Sequence, residues 1–419
     1  MKYKALLLIL IINYFSYGTT LTEIIQTAKE NSPLLKQKKI EIKIKLSEKN
    51  MVNSKRFGEI NLFGTFHRYE DKRILYPISP PINPRTIVGA RNQFVAGISY
   101  NVPLFTGFEL ERKVDILDLS EKIKKIDYEL TEQQLIFNIK SIYYKILSLQ
   151  KQKKALEAYK KSMEKLYENI NEAYKVGRKP ETDLLKVQYG LEEIKANLEK
   201  VENSINSLKS ALIALIGKDI DLSNFEDIQS PSQIPQLKEV EQLKKIQKIN
   251  LAYDISDKKL DVAKSLYLPR VYLNAQLQRN MGNDEYKDLW FLGLTIKYDL
   301  FDFGYRKNQY VKAKLEKEKV LYQKKAVILK LKSEIQKALD DIKSATAKLN
   351  ASKKQLEYAK QVEESEKAKY EEGVSDLYDY LYAKAQKFMA ESQYYQAFYN
   401  RETAIAYLKY LLEEIEDEK

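Results

Sequence analysis

The strongest constraint on how this chain can fold is an internal repeat. The stretch Phe94-Val-Ala-Gly97-Ile-Ser-Tyr-Asn-Val-Pro-Leu104-Phe105 aligns with Trp290-Phe-Leu-Gly293-Leu-Thr-Ile-Lys-Tyr-Asp-Leu300-Phe301 at an offset of 196. Tyr174-Lys-Val-Gly177-Arg-Lys-Pro-Glu-Thr-Asp183 aligns with Tyr370-Glu-Glu-Gly373-Val-Ser-Asp-Leu-Tyr-Asp379 at the same 196. An earlier pair, Ile60-Asn-Leu62-Phe-Gly64 and Val271-Tyr-Leu273-Asn-Ala275, repeats at 211, so the first copy carries about 15 extra residues in the loop between its strands. A period this long means two copies of one supersecondary unit. Each copy reads as helix, strand, loop, strand, long helix, tight turn, helix.

Composition agrees with long elements and few turns. Glycine and proline number 13 and 10 in 419 residues, about half the share average usage gives. The absence of cysteine excludes disulfides, thiolate metal sites, a cysteine nucleophile and a lipidated cysteine anchor. A single histidine, His67, and the lack of a phosphate-cradling glycine loop leave no catalytic constellation, metal site or cofactor site to propose. The 71 basic and 59 acidic residues are interleaved at helical spacing. That is the look of solvated helix faces, and no nucleic-acid partner is expected.

Strict alternation marks the strands. Phe94, Ala96, Ile98, Tyr100, Val102 and Leu104 share one face, and Trp290, Leu292, Leu294, Ile296, Tyr298 and Leu300 share its counterpart. The opposite faces carry Gly97, Ser99 and Asn101, and Gly293, Thr295 and Lys297. Strands are expected at about 57–70, 92–105, 269–279 and 289–301. Runs of about 12 residues exceed the usual five or six and suit a tilted barrel strand crossing an apolar band about 25 Å tall. Trp290 at one end and Tyr298 and Phe301 at the other suit aromatic girdles at the membrane interfaces. The helices carry a 3–4 seam: Leu135, Ile139, Ile142, Ile146 and Leu149 in one copy, Leu331, Ile335, Ala338, Ile342 and Ala345 in the other. Helices are expected at 108–176, 181–217, 304–372 and 375–415, with a polar linker at 218–235 between repeats spanning 19–217 and 236–419. A 69-residue helix would be about 100 Å long.

Residues 1–18 have two lysines, an apolar core and small residues before Thr19, the pattern of an export signal peptide. Four barrel strands cannot close alone, and an open edge cannot face lipid. The chain is therefore expected to assemble, with three copies giving twelve strands around a water-filled lumen.

The chain resembles the TolC family of outer membrane efflux proteins. The matching stretches are Leu21-Thr-Glu-Ile-Ile-Gln-Thr-Ala28-Lys-Glu-Asn31-Ser-Pro33, Pro103-Leu-Phe105-Thr-Gly107 and the paired Tyr-x-x-Gly turns at 174 and 370. The resemblance implies a mainly α chain with a transmembrane β part: a homotrimer whose twelve-strand β-barrel in outer membrane lipid continues as a twelve-helix coiled-coil α-barrel. It implies an exit duct with a long periplasmic extension that meets a periplasmic adaptor and an inner-membrane pump, in drug or metal efflux or in protein secretion. In such proteins two aspartates three residues apart in the second copy often constrict the pore. Asp379 matches the first, and Tyr382 stands where the second would be. Asp183, the first-copy counterpart of Asp379, and Asp376 complete the candidate constriction. Gly177, Arg178, Lys179, Gly373 and Ser375 at the turns are candidate adaptor contacts. For Asp183 and Asp379 the competing role is simple: an acid in a first helical turn complements the helix dipole. Two other readings of the whole chain stay open from sequence, a periplasmic coiled-coil scaffold without a barrel and a secreted polyanion binder.

Overall fold

A computed structural model describes residues 20–228 and 231–415; the expected signal peptide lies outside the described residues. The chain runs α1 (Leu21–Asn31), α2 (Pro33–Ser54), β1 (Glu59–Ile74), β2 (Gly89–Phe105), α3 (Glu109–Lys175), α4 (Glu181–Ile216), α5 (Lys244–Ser265), β3 (Arg270–Gly282), β4 (Glu285–Lys297), α6 (Tyr305–Glu371) and α7 (Leu377–Leu411). It divides into two compact units that cut across the repeats, because each takes segments of both copies.

The first unit holds residues up to Gln37, Glu129–Leu243 and from Leu329 onward, and is helical. Thr20 opens α1 with a capping box: its hydroxyl accepts from Glu23 N–H at 3.1 Å and the Glu23 carboxylate accepts from Thr20 N–H at 3.0 Å. The seam positions Leu135, Ile139, Ile146, Leu331, Ile335, Ala338 and Ile342 are buried, as their spacing requires. The segment between the repeats is fastened by polar side chains. Tyr143 Oη donates to Glu226 O at 2.6 Å, Tyr399 Oη to Asp227 Oδ1 at 2.7 Å, and Ser232 N–H to the buried Glu402 carboxylate at 2.9 Å.

The second unit, Lys38–Tyr128 with Lys244–Ile328, contains the sheet. Its order is β1-β2-β3-β4, antiparallel throughout, with β1 and β4 as free edges. The register aligns Leu62, Ile98, Leu277 and Trp290 in one row, and Ile60, Tyr100, Ala275 and Leu292 in the next. These apolar side chains are exposed: Leu62 is 84% exposed and Trp290 79%. The other face carries Asn61, Ser99, Asn274, Gln276, Gln278 and Asn280. There Asn274 donates to Thr295 at 2.8 Å and Gln278 to Asn280 at 2.9 Å. Helices in this unit are joined by ion pairs, Lys124–Glu41 at 2.8 Å, Lys258–Asp115 at 3.3 Å and Lys317–Asp257 at 2.5 Å. The Lys124 and Lys38 ammonium groups hold the Glu41 carboxyl down at about 2.

All four strands have bounds that differ from those expected, β3 running on to Gly282. β4 starts at Glu285, because Asn283 and Asp284 both adopt positive φ (52° and 62°) and close a two-residue hairpin, and it ends at Lys297. β1 continues to Ile74 and β2 begins at Gly89, through a charged run in which period-two alternation is lost. A register shift between Arg68 and Arg73 accounts for that loss.

Candidate functional site at the helix-hairpin turns

The two turns lie in the helical unit, and their backbones are built alike. At the first, Gly177 N–H donates to Tyr174 O at 2.9 Å and Arg178 N–H to Ala173 O at 2.8 Å. At the second, Gly373 N–H donates to Tyr370 O at 3.1 Å and Val374 N–H to Lys369 O at 2.8 Å. This is the Schellman arrangement, with the glycine in the left-handed conformation at φ 73° and 75°. A Cβ at either glycine would meet nothing within 4 Å, so φ alone demands glycine there.

The entry to the following helix differs. Pro180 precedes α4 without a side-chain cap. Asp376 caps α7, its Oδ1 accepting from Asp379 N–H at 3.0 Å. One oxygen of the Asp376 carboxylate thus serves the backbone. Asp183 sits in the first turn of α4, 3.6 Å from Lys186 Nζ and with its side chain only 14% exposed. Asp379 is exposed in the first turn of α7. Tyr382, one turn on, is exposed and stacks on Tyr378 with centroids 6.4 Å apart and planes at 15°. Asp379 and this tyrosine pair therefore share a solvent-facing patch.

The turns are supported from beneath by one apolar cluster. Leu377 and Tyr380 of α7 pack with Leu156, Met163, Leu166 and Ile170 of α3 and Val187 and Ile194 of α4. Tyr370 stacks on Tyr380 at 5.5 Å, and Lys179 Nζ lies 5.1 Å above the Tyr370 ring, tying the first turn to the second hairpin. Arg178 is exposed. Ser375 N–H donates to Lys369 O at 3.3 Å, while its hydroxyl is buried without a hydrogen-bond partner.

Two residues here escape a reading of the sequence. Tyr378 belongs to the exposed patch, and its i, i+4 spacing from Tyr382 was the available signal. Lys384 is buried, donating to Tyr380 Oη at 2.8 Å. Burial lowers the ammonium's pKa from its ordinary value and pushes the Tyr380 hydroxyl up to about 12. Beside it, Lys387 pairs with the buried Glu363 at 3.2 Å.

Among the aromatics expected at membrane interfaces, Trp290 stands inside the apolar face. β4 starts earlier than expected, so Tyr286 and Asp288 lie outward of it. Tyr298 and Phe301 lie past the end of β4. Arg306, paired with Asp302 at 2.7 Å, lies 5.7 Å from the Tyr298 ring centroid, and Phe301 meets Phe303 edge-on at 4.7 Å.

No group of three or more His, Cys, Asp or Glu able to hold a metal ion occurs among the described residues. No described helix is long and apolar enough to cross a membrane. What the geometry does define is a two-repeat chain with an antiparallel sheet, apolar on one face, and long paired helices ending in matched turns.

That is the architecture of outer-membrane efflux channels, and the family model described as "Outer membrane efflux protein" matches residues 24–218 and 240–413. The chain belongs to this family. No curated protein matches it by sequence. Among solved structures, the Campylobacter jejuni CmeC outer membrane channel superposes with a TM-score of 0.81 at 18% identity, covering 95% of this chain and 87% of that one. CusC gives 0.80 at 14%, covering 94% and 91%, and the open state of the Neisseria gonorrhoeae MtrE outer membrane channel gives 0.76 at 15%, covering 94% and 88%. At these identities the likeness fixes the two-repeat fold. The scaffold reading, which has no barrel, is not favoured.

Proposed function

We propose that three copies of this chain close a twelve-strand barrel in the outer membrane and continue it as a twelve-helix tunnel in the periplasm, forming the exit duct of a tripartite efflux or type I secretion system. One observation carries the reading: a four-stranded sheet with both edges free and an exposed apolar face running across all four strands. Apolar rows of this extent suit lipid, and free edges at membrane depth must be paired by further strands. The amide-rich opposite face then lines the lumen.

The constriction is assigned to Asp379 and Tyr382, with Tyr378 beside them. Asp183 contributes less charge because Lys186 lies against it, and Asp376 serves as a cap. Three Asp379 carboxylates at one level would favour cations. Arg178 and the backbone around Gly177, Lys179, Gly373 and Ser375 present the surface for an adaptor and its pump. Trp290, Tyr298 and Phe301 contact lipid or its interface. Planar bilayers test the assignment. Purified trimers are expected to conduct, and Asp379→Asn is expected to cut cation preference by about twofold. Silent bilayers, or release of the protein from envelopes by buffer without detergent, would overturn the channel.

A further inference from the structure

The two outer ends of the sheet are built differently. β3 and β4 are joined by Asn283 and Asp284 alone. β1 and β2 run past that turn: β2 leaves its ladder with β3 at Phe94↔Met281, while β1 and β2 stay paired out to Ile74↔Gly89. Residues 75–88 then form a loop containing Pro77, Pro80, Pro81 and Pro84. The extra residues of β1 between Arg68 and Arg73 make a bulge, and bulges bend the strand that carries them.

The direction of the bend can be read from what grips the loop. Gln93 Nε2 donates to Arg73 O at 2.8 Å and Ile74 O at 3.3 Å. Asn280 Nδ2 donates to Leu75 O at 2.9 Å, and Lys287 Nζ lies 4.7 Å above the Tyr76 ring. Gln93, Asn280 and Lys287 all belong, by strand alternation, to the polar face of the sheet. Leu75 and Ala90 are buried at this corner, 2% and 0% exposed. A Cβ on Gly282 would stand 2.7 Å from Ala90 Cβ and 3.0 Å from Leu75 Cδ1, so the hairpin extension is seated directly on the β3–β4 end. The loop is braced internally as well, with Asn83 Oδ1 accepting from Arg85 N–H at 3.1 Å and Thr86 Oγ1 donating to Asn83 O at 3.0 Å.

We propose that residues 76–88 form the outer constriction of the duct, held over the lumen side of the sheet by Lys287 at Tyr76 and by Asn280 and Gln93 at the loop's root, Leu75 and the end of β1, and that this loop sets the size of solute that can leave. The inference rests on the proposed reading of the polar face as the lumen. It locates a size filter in the β1–β2 loop, remote in sequence from the hairpin turns. Of the polar-face contacts, the one between Lys287 and the Tyr76 ring falls within the loop itself, while Asn280 and Gln93 hold its root at Leu75, Ile74 and Arg73.

The absence of native cysteine gives a clean test. Ser99→Cys puts one thiol on the polar face of β2, in register with Asn61 and Gln276. It is labelled from outside in intact cells with a small maleimide and with maleimides carrying polyethylene glycol of rising mass. Replacing residues 76–88 by Asn-Gly is expected to speed labelling by the large reagents about tenfold and leave the small reagent unchanged. Asn280→Ala combined with Lys287→Gln frees the loop without shortening it, and is expected to move the rate the same way by a smaller factor. Equal large-reagent rates in all three proteins would overturn the constriction while leaving the channel intact. If the small maleimide fails at position 99 yet labels Leu62→Cys on the opposite face, the polar face is no lumen, and the channel reading falls with it.

Discussion

The two hairpin turns share a backbone and differ in chemistry. Both end a 67-residue helix with the same pair of hydrogen bonds around a left-handed glycine. The first then offers Arg178, Lys179 and Pro180, and spends Lys179 on the Tyr370 ring. The second offers Val374, Ser375 and a capping Asp376, and leaves Asp379 and two tyrosines open. The duplication has kept what the chain reversal requires and released the rest. An available carboxylate therefore comes from the second copy, although both copies have an aspartate at the matching position.

The comparison can be broken most sharply at the glycines. Gly177→Val and Gly373→Val should each cost about 1–2 kcal/mol, since only left-handed strain is at stake. Thermal unfolding of the assembled protein should show equal losses, and a clear inequality would mean that one turn is buttressed by something the other lacks. The caps come next. Asp376→Ala should cost about 1 kcal/mol, and Pro180→Ala about 0.5 kcal/mol through the unfolded chain. Denaturant midpoints that reverse this order would contradict the assigned cap.

Lys384 sharpens the difference from another side, because it belongs to the second hairpin. Its pKa is lowered by burial, so the unfolded chain binds more protons between that lowered value and 10.5. Stability should rise with pH across that window. Tyr380 works the other way, but only above 10, where the unfolded tyrosine gives up its proton while the folded one holds it to about 12. Lys384→Met should gain about 1 kcal/mol near neutral pH. It should also flatten the rise, read by denaturation at about pH 7 and about pH 9.5. The smallest effect on stability belongs to Asp379→Asn, about 0.3 kcal/mol from the helix dipole. A loss several times larger would mark Asp379 as structural and remove it from the pore.

Much of this was legible in the sequence because the repeat duplicates positions with a single physical solution. A glycine at 177 and again at 373 announces a left-handed turn twice. A seam such as Leu331, Ile335, Ala338 and Ile342 admits one buried face. What stayed hidden depends on three-dimensional neighbours. Lys384 reads as one more solvated lysine until the Tyr380 hydroxyl is found beside it. That Asp376 caps α7 is not evident until its oxygen meets the Asp379 N–H. The Arg68–Arg73 run shows no alternation, since a bulge and a bend replace the regular pleat there, so the outer hairpin looked shorter than it is. The Asn283–Asp284 hairpin lacks the Asn-Gly pair that marks a two-residue turn in a sequence, and its position puts Trp290 within the face rather than at the strand end.

The free edges of the sheet also bear on how the protein is made. Before assembly each molecule carries two edge strands, of 16 and 13 residues, each paired on one side only, beside a wide apolar surface. Such edges template pairing with any strand they meet. A lone copy in the aqueous space between the membranes is then an aggregation hazard whose lifetime is set by its encounter rate with two others. Expression level becomes a determinant of yield: too little slows partner finding, and too much favours the wrong pairings. The efficiency of this duct is decided partly before any cargo reaches it, during the interval in which three chains find one another.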